Sequence, residues 1–281
     1  MPGPNQAEKA ERFRQLHRGP RVLVLPNVWD VASARIIEES GYPAIATTSA
    51  GIANALGYPD GERISRLEML SVVARITAAT SVPVTADMEG GYGKRPEDMV
   101  ETAHALIASG AIGMNLEDAR DEDPATLADL SLQIEKIKAL KETAASLGVN
   151  LVLNARTDIY LAGVGEPAMR LKRTVERLNA YRQAGADCLF APGVKNRETI
   201  ANLVKEVAGP LNILATTGTP PITELERLGV ARVSCGSGPM RATLGLLRRI
   251  AKQLREEGGY SLMTEGAIPY AEANQLFENK K

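Results

Sequence analysis

Eight short apolar runs, each followed by a stretch with helical periodicity, recur along this 281-residue chain at intervals of roughly thirty residues. No other feature narrows the fold as far. A strand that is apolar throughout is covered on both faces, and its parallel neighbour can be reached only through a crossover, which an α-helix usually supplies. The runs are 21–27, 43–48, 82–86, 112–116, 150–155, 188–191, 211–215 and 231–235. Between them the pattern predicts helices over 31–40, 64–79, 96–110, 124–148, 167–184 and 196–207, a short one ending at Gly229, and a last one over 239–257. Asp30 is placed to cap the first of these and Gly41 to end it, while Asp123-Pro124 reads as an N-cap with proline at the first helical position. Leu127, Leu130, Ile134, Ile137 and Leu140 give the helix that follows an apolar stripe. Eight such units favour a closed barrel over an open sheet. The expected fold class is α/β, a (β/α)8 TIM barrel forming one domain over residues 1–281, with a short N-terminal helix and a C-terminal helical extension over 267–277.

The formal net charge is -1, and Lys and Arg are interspersed with Asp and Glu. This argues against a basic nucleic-acid footprint or a polybasic membrane surface. No run of eighteen or more apolar residues is present, and the N-terminus is polar and amphipathic. The expectation is a cytoplasmic protein with a small-molecule substrate, no nucleic-acid partner and no membrane association. Cys188 and Cys235 lie in apolar runs without a second Cys or His at metal-ligand spacing, so both read as small buried or half-buried thiols rather than zinc ligands. His17 and His104, the two histidines, fall in helical patterns and read as helix surface residues.

The chemistry of an eight-stranded α/β barrel sits at the C-terminal strand ends, and this chain concentrates polar residues there. Thr48, Ser49 and Ala50 follow the second run and Asp60 lies in the next turn. Asp87 and Glu89 end the third, two residues apart, a spacing that projects both carboxylates the same way from an extended backbone. Gly90, Gly91 and Gly93 then let the chain turn where side chains would crowd a ligand. Glu117 and Asp118 follow the fourth run, Arg156 and Asp158 the fifth. Two readings stand for Asp87 and Glu89: oxygen ligands for a hard divalent cation, or solvated residues in a loop. Arg156 could hold an anion or simply neutralise Asp158 or Glu117. The gathering of several strand ends, without a serine–histidine pair, fits metal-assisted chemistry on an anion better than acyl transfer.

The ordered set Thr48-Ser-Ala-Gly51, Leu56-Gly-Tyr-Pro-Asp60, Glu68-Met69, Pro83-Val-Thr-Ala-Asp-Met-Glu-Gly-Gly-Tyr-Gly93, Asn115-Leu-Glu-Asp118, Asn154-Ala-Arg-Thr-Asp158 and Gly185-Ala-Asp187 resembles the isocitrate lyase/phosphoenolpyruvate mutase superfamily. The resemblance implies a barrel that binds a divalent ion, Mg2+ with Mn2+ as the alternative, together with a 2-oxo acid or its enolate. It also implies a homo-oligomer, dimer or tetramer, built by swapping the last barrel helix. Carried over by residue, it makes Asp87 the direct metal ligand, with Glu89 and Glu117 holding the metal through water and Asp60 nearby. It assigns substrate binding to Thr48, Ser49, Ala50, Asp87 and Arg156, and catalysis to Arg156, Glu117 and Asp60. One segment departs. The isocitrate and methylisocitrate lyases carry a Lys-Lys/Arg-Cys-Gly-His loop after the fourth strand, where this chain has Ala119-Arg-Asp-Glu-Asp-Pro124, without Cys, Lys or His. The Lys and Asn of the mutase loop are absent as well.

The function this implies is a Mg-dependent lyase or decarboxylase that cleaves a C–C bond adjacent to the oxo group of a small 2-oxo acid. Phosphonopyruvate hydrolase- or mutase-like C–P chemistry at the same site is the alternative. A barrel that binds a 2-oxo acid without turnover is a third reading.

Overall fold

Proline 26 divides the first strand, and the division shows how the sheet closes. In the computed structural model, which describes residues 3, 5–119 and 126–278, β1 (Leu23–Leu25) pairs with β9 (Arg232–Ser234), whereas β2 (Asn27–Val28) pairs with β3 (Ile45–Thr47). Pro26 has no N–H to donate to a ladder, so the single expected run 21–27 forms two short strands on either side of it. Between these flanks stand β4 (Val84–Asp87), β5 (Gly113–Glu117), β6 (Val152–Arg156), β7 (Cys188–Phe190) and β8 (Leu211–Leu214). The order is β1-β9-β8-β7-β6-β5-β4-β3-β2 and all pairings are parallel. Because β1 and β2 are one stretch of chain, the first and last positions of the sheet meet at Pro26. The expected (β/α)8 barrel results.

The helices form where the sequence supplies caps. α1 (Gln6–Leu16) is followed by α2 (Val31–Glu39), which starts at Asp30, whose carboxylate accepts from Ser33 N at 2.7 Å. α4 (Arg66–Ala79) starts at a reciprocal Ser65/Glu68 capping box. α5 (Asp98–Ala108), α7 (Arg170–Gln183, led in by a 3-10 turn over Pro167–Met169), α8 (Arg197–Glu206) and α9 (Ile222–Arg227) also match expected positions. Three expectations need correction. α3 (Ser49–Ala55) is a helix where none was expected; Thr48 caps it by accepting from Gly51 N at 3.3 Å. α6 runs Leu130–Ser146 instead of beginning at 124, because Asp129 is the residue whose carboxylate accepts from Ser131 N and Leu132 N. Leu127, assigned to its apolar stripe, instead bridges Ala119 in an antiparallel pair, and the proposed cap Asp123-Pro124 lies outside the described residues. The C-terminal extension is two short helices, α11 (Ser261–Thr264) and α12 (Tyr270–Gln275).

Residues opposite one another in register share a face, and here the inward face is polar. Asp87 faces Asn115, which faces Asn154, which faces Cys188; one layer up, Glu117 faces Arg156 and then Phe190. The outward residues Val28, Ile45 and Val84 pack against Ala34 and Ile76 of α2 and α4. Gly113 points inward where a Cβ would lie 2.7 Å from Val152 O and 2.9 Å from Thr85 Oγ1, so the packing there admits no side chain.

α1 crosses the N-terminal ends of the strands. Gln6 Nε2 donates to Ile107 O and Ala111 O at 3.0 and 2.7 Å, and Arg14 reaches Asn150 O and Asp187. Ala10 and Phe13 on its inner face are fully buried. His17, expected on the helix surface, is buried too: its ring meets Phe13 edge-on at 4.8 Å. His104 is exposed as expected.

The final long helix, α10 (Gly238–Glu256), behaves differently from the rest. Of its 19 residues only Met240 is buried, and Leu244, Leu246, Leu247 and Leu254 are exposed. Its apolar stripe does not pack on its own barrel. No helix among the described residues is long and apolar enough to cross a membrane.

Candidate active site

The C-terminal mouth of the barrel collects nearly every residue singled out from the sequence. Asp87 closes β4, and its carboxylate is fixed from both sides. Oδ2 accepts from Ser49 N at 3.1 Å and Ser49 Oγ at 2.9 Å, while Oδ1 accepts from Asn115 Nδ2 at 3.1 Å. Asn115 is itself held, its Oδ1 accepting from Asn154 Nδ2 at 2.8 Å. The Ser49 hydroxyl also stands 3.5 Å from Asp60 Oδ1. Thr48 N and Ser49 N are committed, to Val28 O and Asp87 respectively. Ala50, in the first turn of α3, has no intrahelical acceptor for its N–H by position.

Glu89 lies in a strained turn. It has φ 49°, Tyr92 has φ 56° and Glu62 across from them has φ 48°, so three of the four non-glycine residues with positive φ among those described gather here. Outliers of this kind persist only where surrounding contacts hold them, and they cluster at functional sites. The contacts are visible: Glu62 N donates to Glu89 Oε2, Tyr92 N donates to Glu62 Oε1 at 3.0 Å, and Tyr92 OH lies 3.4 Å from Glu89 Oε1. Gly91, at φ 96°, passes so close to Met99 that a Cβ would sit 2.7 Å from its sulfur. Lys136 of α6 donates to Gly93 O at 2.9 Å and to Gly90 O, clamping the turn to the helix behind it.

Across the mouth, Arg156 Nη1 pairs with Glu117 Oε2 at 2.5 Å and its Nε with Asp158 Oδ1 at 2.7 Å. The neutralising role considered for Arg156 is therefore real, and it also sets the guanidinium plane. Its Cζ lies 5.9 Å from the Phe190 ring. Behind it Asp118, fully buried, accepts from Asp158 N at 3.0 Å, Arg177 Nε at 2.8 Å and Tyr181 OH at 2.6 Å. The two halves of the mouth join through Glu117 N, which donates to Glu89 O at 2.9 Å.

Electrostatics make the cluster acidic and uncomfortable. Burial, then the neighbouring Asp87 and Asp60, push the Glu89 carboxyl up to about 8 despite the hydrogen bond from Glu62 N. Asp60 is raised by burial and by Asp87. Glu117 is raised well above the carboxylate range by burial, against the pull of Arg156. Clustered carboxylates resist joint ionisation in this way when no cation offsets them.

Among the described residues no group of three or more His, Cys, Asp or Glu is arranged as a ready-made metal cage. The residues present nonetheless fit a hard cation of the kind that keeps several waters and takes one or two carboxylates from the protein. Asp87 presents its carboxylate at the strand end, while Glu89 and Glu117 are turned toward other partners. Asn115, Asn154, Glu62, Tyr92 and Arg177 were assigned no role from sequence. The first two had a signal: each is a polar residue interrupting an otherwise apolar run. Cys188 is buried, its thiol pushed up to about 12 chiefly by burial, and Cys235 is half-buried. A groove of about 600 Å3 elsewhere, between α12 and the ends of α2 and α4, contains none of these groups.

Comparisons with known proteins agree with this fold. The chain matches the family model described as phosphoenolpyruvate phosphomutase over residues 13–255. A crystal structure from Burkholderia cenocepacia J2315 is 37% identical and superposes with a TM-score of 0.91, covering 99% of both chains. The structure of oxaloacetate acetylhydrolase in complex with the product oxalate is 26% identical, TM-score 0.84, covering 95% of this chain and 93% of that one. The 2-methylisocitrate lyase of Halalkalibacterium halodurans is 26% identical over 90% of this chain and 84% of its own length. With the barrel, the carboxylate mouth and these likenesses in hand, the chain belongs to the phosphoenolpyruvate phosphomutase family, within the isocitrate lyase/phosphoenolpyruvate mutase superfamily of lyases and mutases.

Proposed function

We propose that the protein is a Mg-dependent lyase or decarboxylase that breaks a C–C bond adjacent to the oxo group of a small 2-oxo acid. The observation that carries this is the opposition of charge across one mouth: carboxylates anchored on Asp87 face a guanidinium, Arg156, locked between Glu117 and Asp158. Asp87 as direct ligand, with Glu89 and Glu117 acting through water, would hold Mg2+ or Mn2+. Bound there, the cation supplies a Lewis acid that favours negative charge on the oxo oxygen.

The chain's own residues supply the rest. Arg156 offers the remaining N–H groups of a planar fork to a substrate carboxylate, and its two acidic neighbours fix the direction of that fork. Ser49 holds Oδ2 of Asp87 from N and Oγ together, and Asn115 holds Oδ1. Thr48, Ser49 and Ala50 form the wall against which the oxo acid lies, where Ala50 N–H is placed to donate to it. Asp60, next to the Ser49 hydroxyl, and Glu117, beside Arg156, are the groups placed to hold or move a proton. The likeness to oxaloacetate acetylhydrolase and 2-methylisocitrate lyase supports the C–C reading.

Purified protein with Mg2+, offered a panel of 2-oxo and 2-hydroxy dicarboxylates, is expected to release pyruvate or another 2-oxo acid from at least one. No release across the panel removes this reading. The family model's description supports the C–P alternative, for which phosphate release from phosphonopyruvate or a rearranged product is the mark. Mg2+-dependent oxalate binding with no turnover of either kind points to the non-catalytic barrel.

The exposed leucines of α10 further support a homo-oligomer in which this helix packs on a second copy. Sedimentation is expected to show a dimer or tetramer, and Leu247→Glu to shift it toward monomer; a wild-type monomer at micromolar concentration removes the idea.

A further inference from the structure

The residues that hold the plane of Arg156 do not end with Glu117 and Asp158. β6 ends at Arg156. Thr157 N still donates to Phe190 O of β7 at 2.9 Å, but Asp158 N turns to a side chain and donates to Asp118 Oδ1 at 3.0 Å. That bond sets where the Asp158 carboxylate stands, and Asp158 Oδ1 accepts from Arg156 Nε at 2.7 Å. The direction of the guanidinium therefore depends on Asp118, which is fully buried behind it.

Asp118 is held in turn from α7. Arg177 and Tyr181 stand four residues apart on that helix and so share one face. Arg177 Nε donates to Asp118 Oδ2 at 2.8 Å and lies 3.0 Å from Tyr181 OH, which itself donates to the same Oδ2 at 2.6 Å. The three groups close a ring, each meeting the other two. Arg177 Nη2 adds a bond to Ala128 O at 2.7 Å, and Ala128 N donates to Asp118 O at 2.8 Å. The two carboxylate oxygens of Asp118 are thus divided, Oδ2 toward the helix and Oδ1 toward the site. Thr174, Leu178 and Tyr181 are fully buried, so the face that carries the ring is fixed to the barrel.

Stability alone does not account for this arrangement. A buried ion pair recovers little beyond its own desolvation cost, and apolar side chains of similar volume often serve a fold as well. What apolar packing cannot supply is an oxygen aimed at Asp158 N. Arg177 also divides the charge: with Asp118 paired to it, Arg156 is left to meet Glu117 and Asp158. We propose that Arg177 and Tyr181 are positioning residues for Arg156, acting through Asp118 and then Asp158. The inference rests on the role proposed for Arg156 at the mouth, but the geometry it asserts can be measured without a substrate.

Tyr181→Phe is the test variant, because it keeps the ring and its packing and removes one hydroxyl. In protein labelled with 15N-arginine, the Nε–Hε signal of Arg156 is identified by its loss in Arg156→Lys. Solvent exchange of that hydrogen is expected to quicken at least about 10-fold in Tyr181→Phe and further in Arg177→Met, the effect of losing a hydrogen bond to a charged group. Wild-type exchange in folded Tyr181→Phe with a lowered thermal midpoint would mark the ring as merely structural and overturn the proposal. A wild-type signal that already exchanges like that of an exposed arginine overturns it too. By calorimetry both variants should bind oxalate in the presence of Mg2+ about 10-fold more weakly at unchanged stoichiometry; wild-type affinity in both counts against the relay. A wild type that binds no oxalate counts against the function proposed above, and the exchange rates then decide on the relay by themselves. If Arg177→Met does not fold, Tyr181→Phe carries both measurements.

Discussion

The two ends of the barrel bury charge of opposite sign and stabilise it by different means. At the mouth Asp87, Glu89 and Asp158 each meet a fixed donor or cation, and the strain sits in the backbone of Glu62, Glu89 and Tyr92. At the closed end Asn5, which caps α1, has the one remaining positive φ among the described non-glycine residues, and buried side-chain atoms of Arg232 and His17 find no protein partner. An acidic cluster whose carboxylates repel one another is eased by a cation. The two ends therefore differ in the sign of the charge they bury and in how that charge is met.

The largest effect expected from breaking it is at Asp87. Asp87→Ala should lower Mg2+-dependent oxalate binding by more than about 100-fold, measured by calorimetry, since even outer-shell groups of metal sites are worth about 10–100-fold. The thermal midpoint should change little, because relief of repulsion with Asp60 and Glu89 offsets the stranded donors of Ser49 and Asn115. Unchanged oxalate affinity would remove Asp87 from the centre of the site.

The second test uses pH, because the two ends have opposite linkage. His17 is depressed from 6.5 to about 4. The unfolded chain thus binds the proton first, so this contribution is whole above pH 6.5 and is lost as pH falls toward 4. Between pH 7 and 5 the wild type should lose about 2 kcal/mol relative to His17→Gln in chemical denaturation. Glu89 is raised from 4.5 to about 8. In chelator-treated protein its contribution is whole below pH 4.5 and is lost as pH rises through 8, so Glu89→Gln should diverge from wild type in the opposite direction. Parallel profiles for the two variants would show that the ends are not electrostatically opposed.

The sequence made the working end far more legible than the sealed one. Asp87, Glu89, Glu117 and Arg156 could be placed because strand ends are marked by the apolar runs before them, and all four do meet at one mouth. The eight runs likewise became eight barrel positions. What sequence could not show was how partners are chosen across the barrel. Arg232 sits in Ala231-Arg-Val-Ser-Cys235 like any surface arginine flanking a strand, and only register turns it inward. His17 failed for a related reason: helical spacing marks a face but not what covers it, and α1 crosses the strand ends instead of lying beside them. The start of α6 was misplaced because Asp123-Pro124 and Asp129 are both good caps locally, and the Ala119–Leu127 bridge decides between them.

The smallest effect predicted is also the sharpest on how the mouth is built. Asn115 donates to Oδ1 of Asp87 and is held in turn by Asn154, so it acts on a ligand only through Asp87. Asn115→Ala leaves the carboxylate charge in place and removes its orientation. If orientation matters as supposed, Mg2+-dependent oxalate affinity should fall by about 10-fold, with the stoichiometry intact. Asn115→Asp should do worse than alanine, because a second carboxylate facing Asp87 replaces a donor with a repelling charge. A structural role alone would lower the thermal midpoint of both variants and leave affinity per folded molecule unchanged. Affinity that follows the order wild type, alanine, aspartate, in protein folded at the assay temperature, would instead show that the polar barrel interior aims the cation ligand, which is why asparagines stand on β5 and β6 where a barrel of this kind would otherwise carry branched apolar side chains.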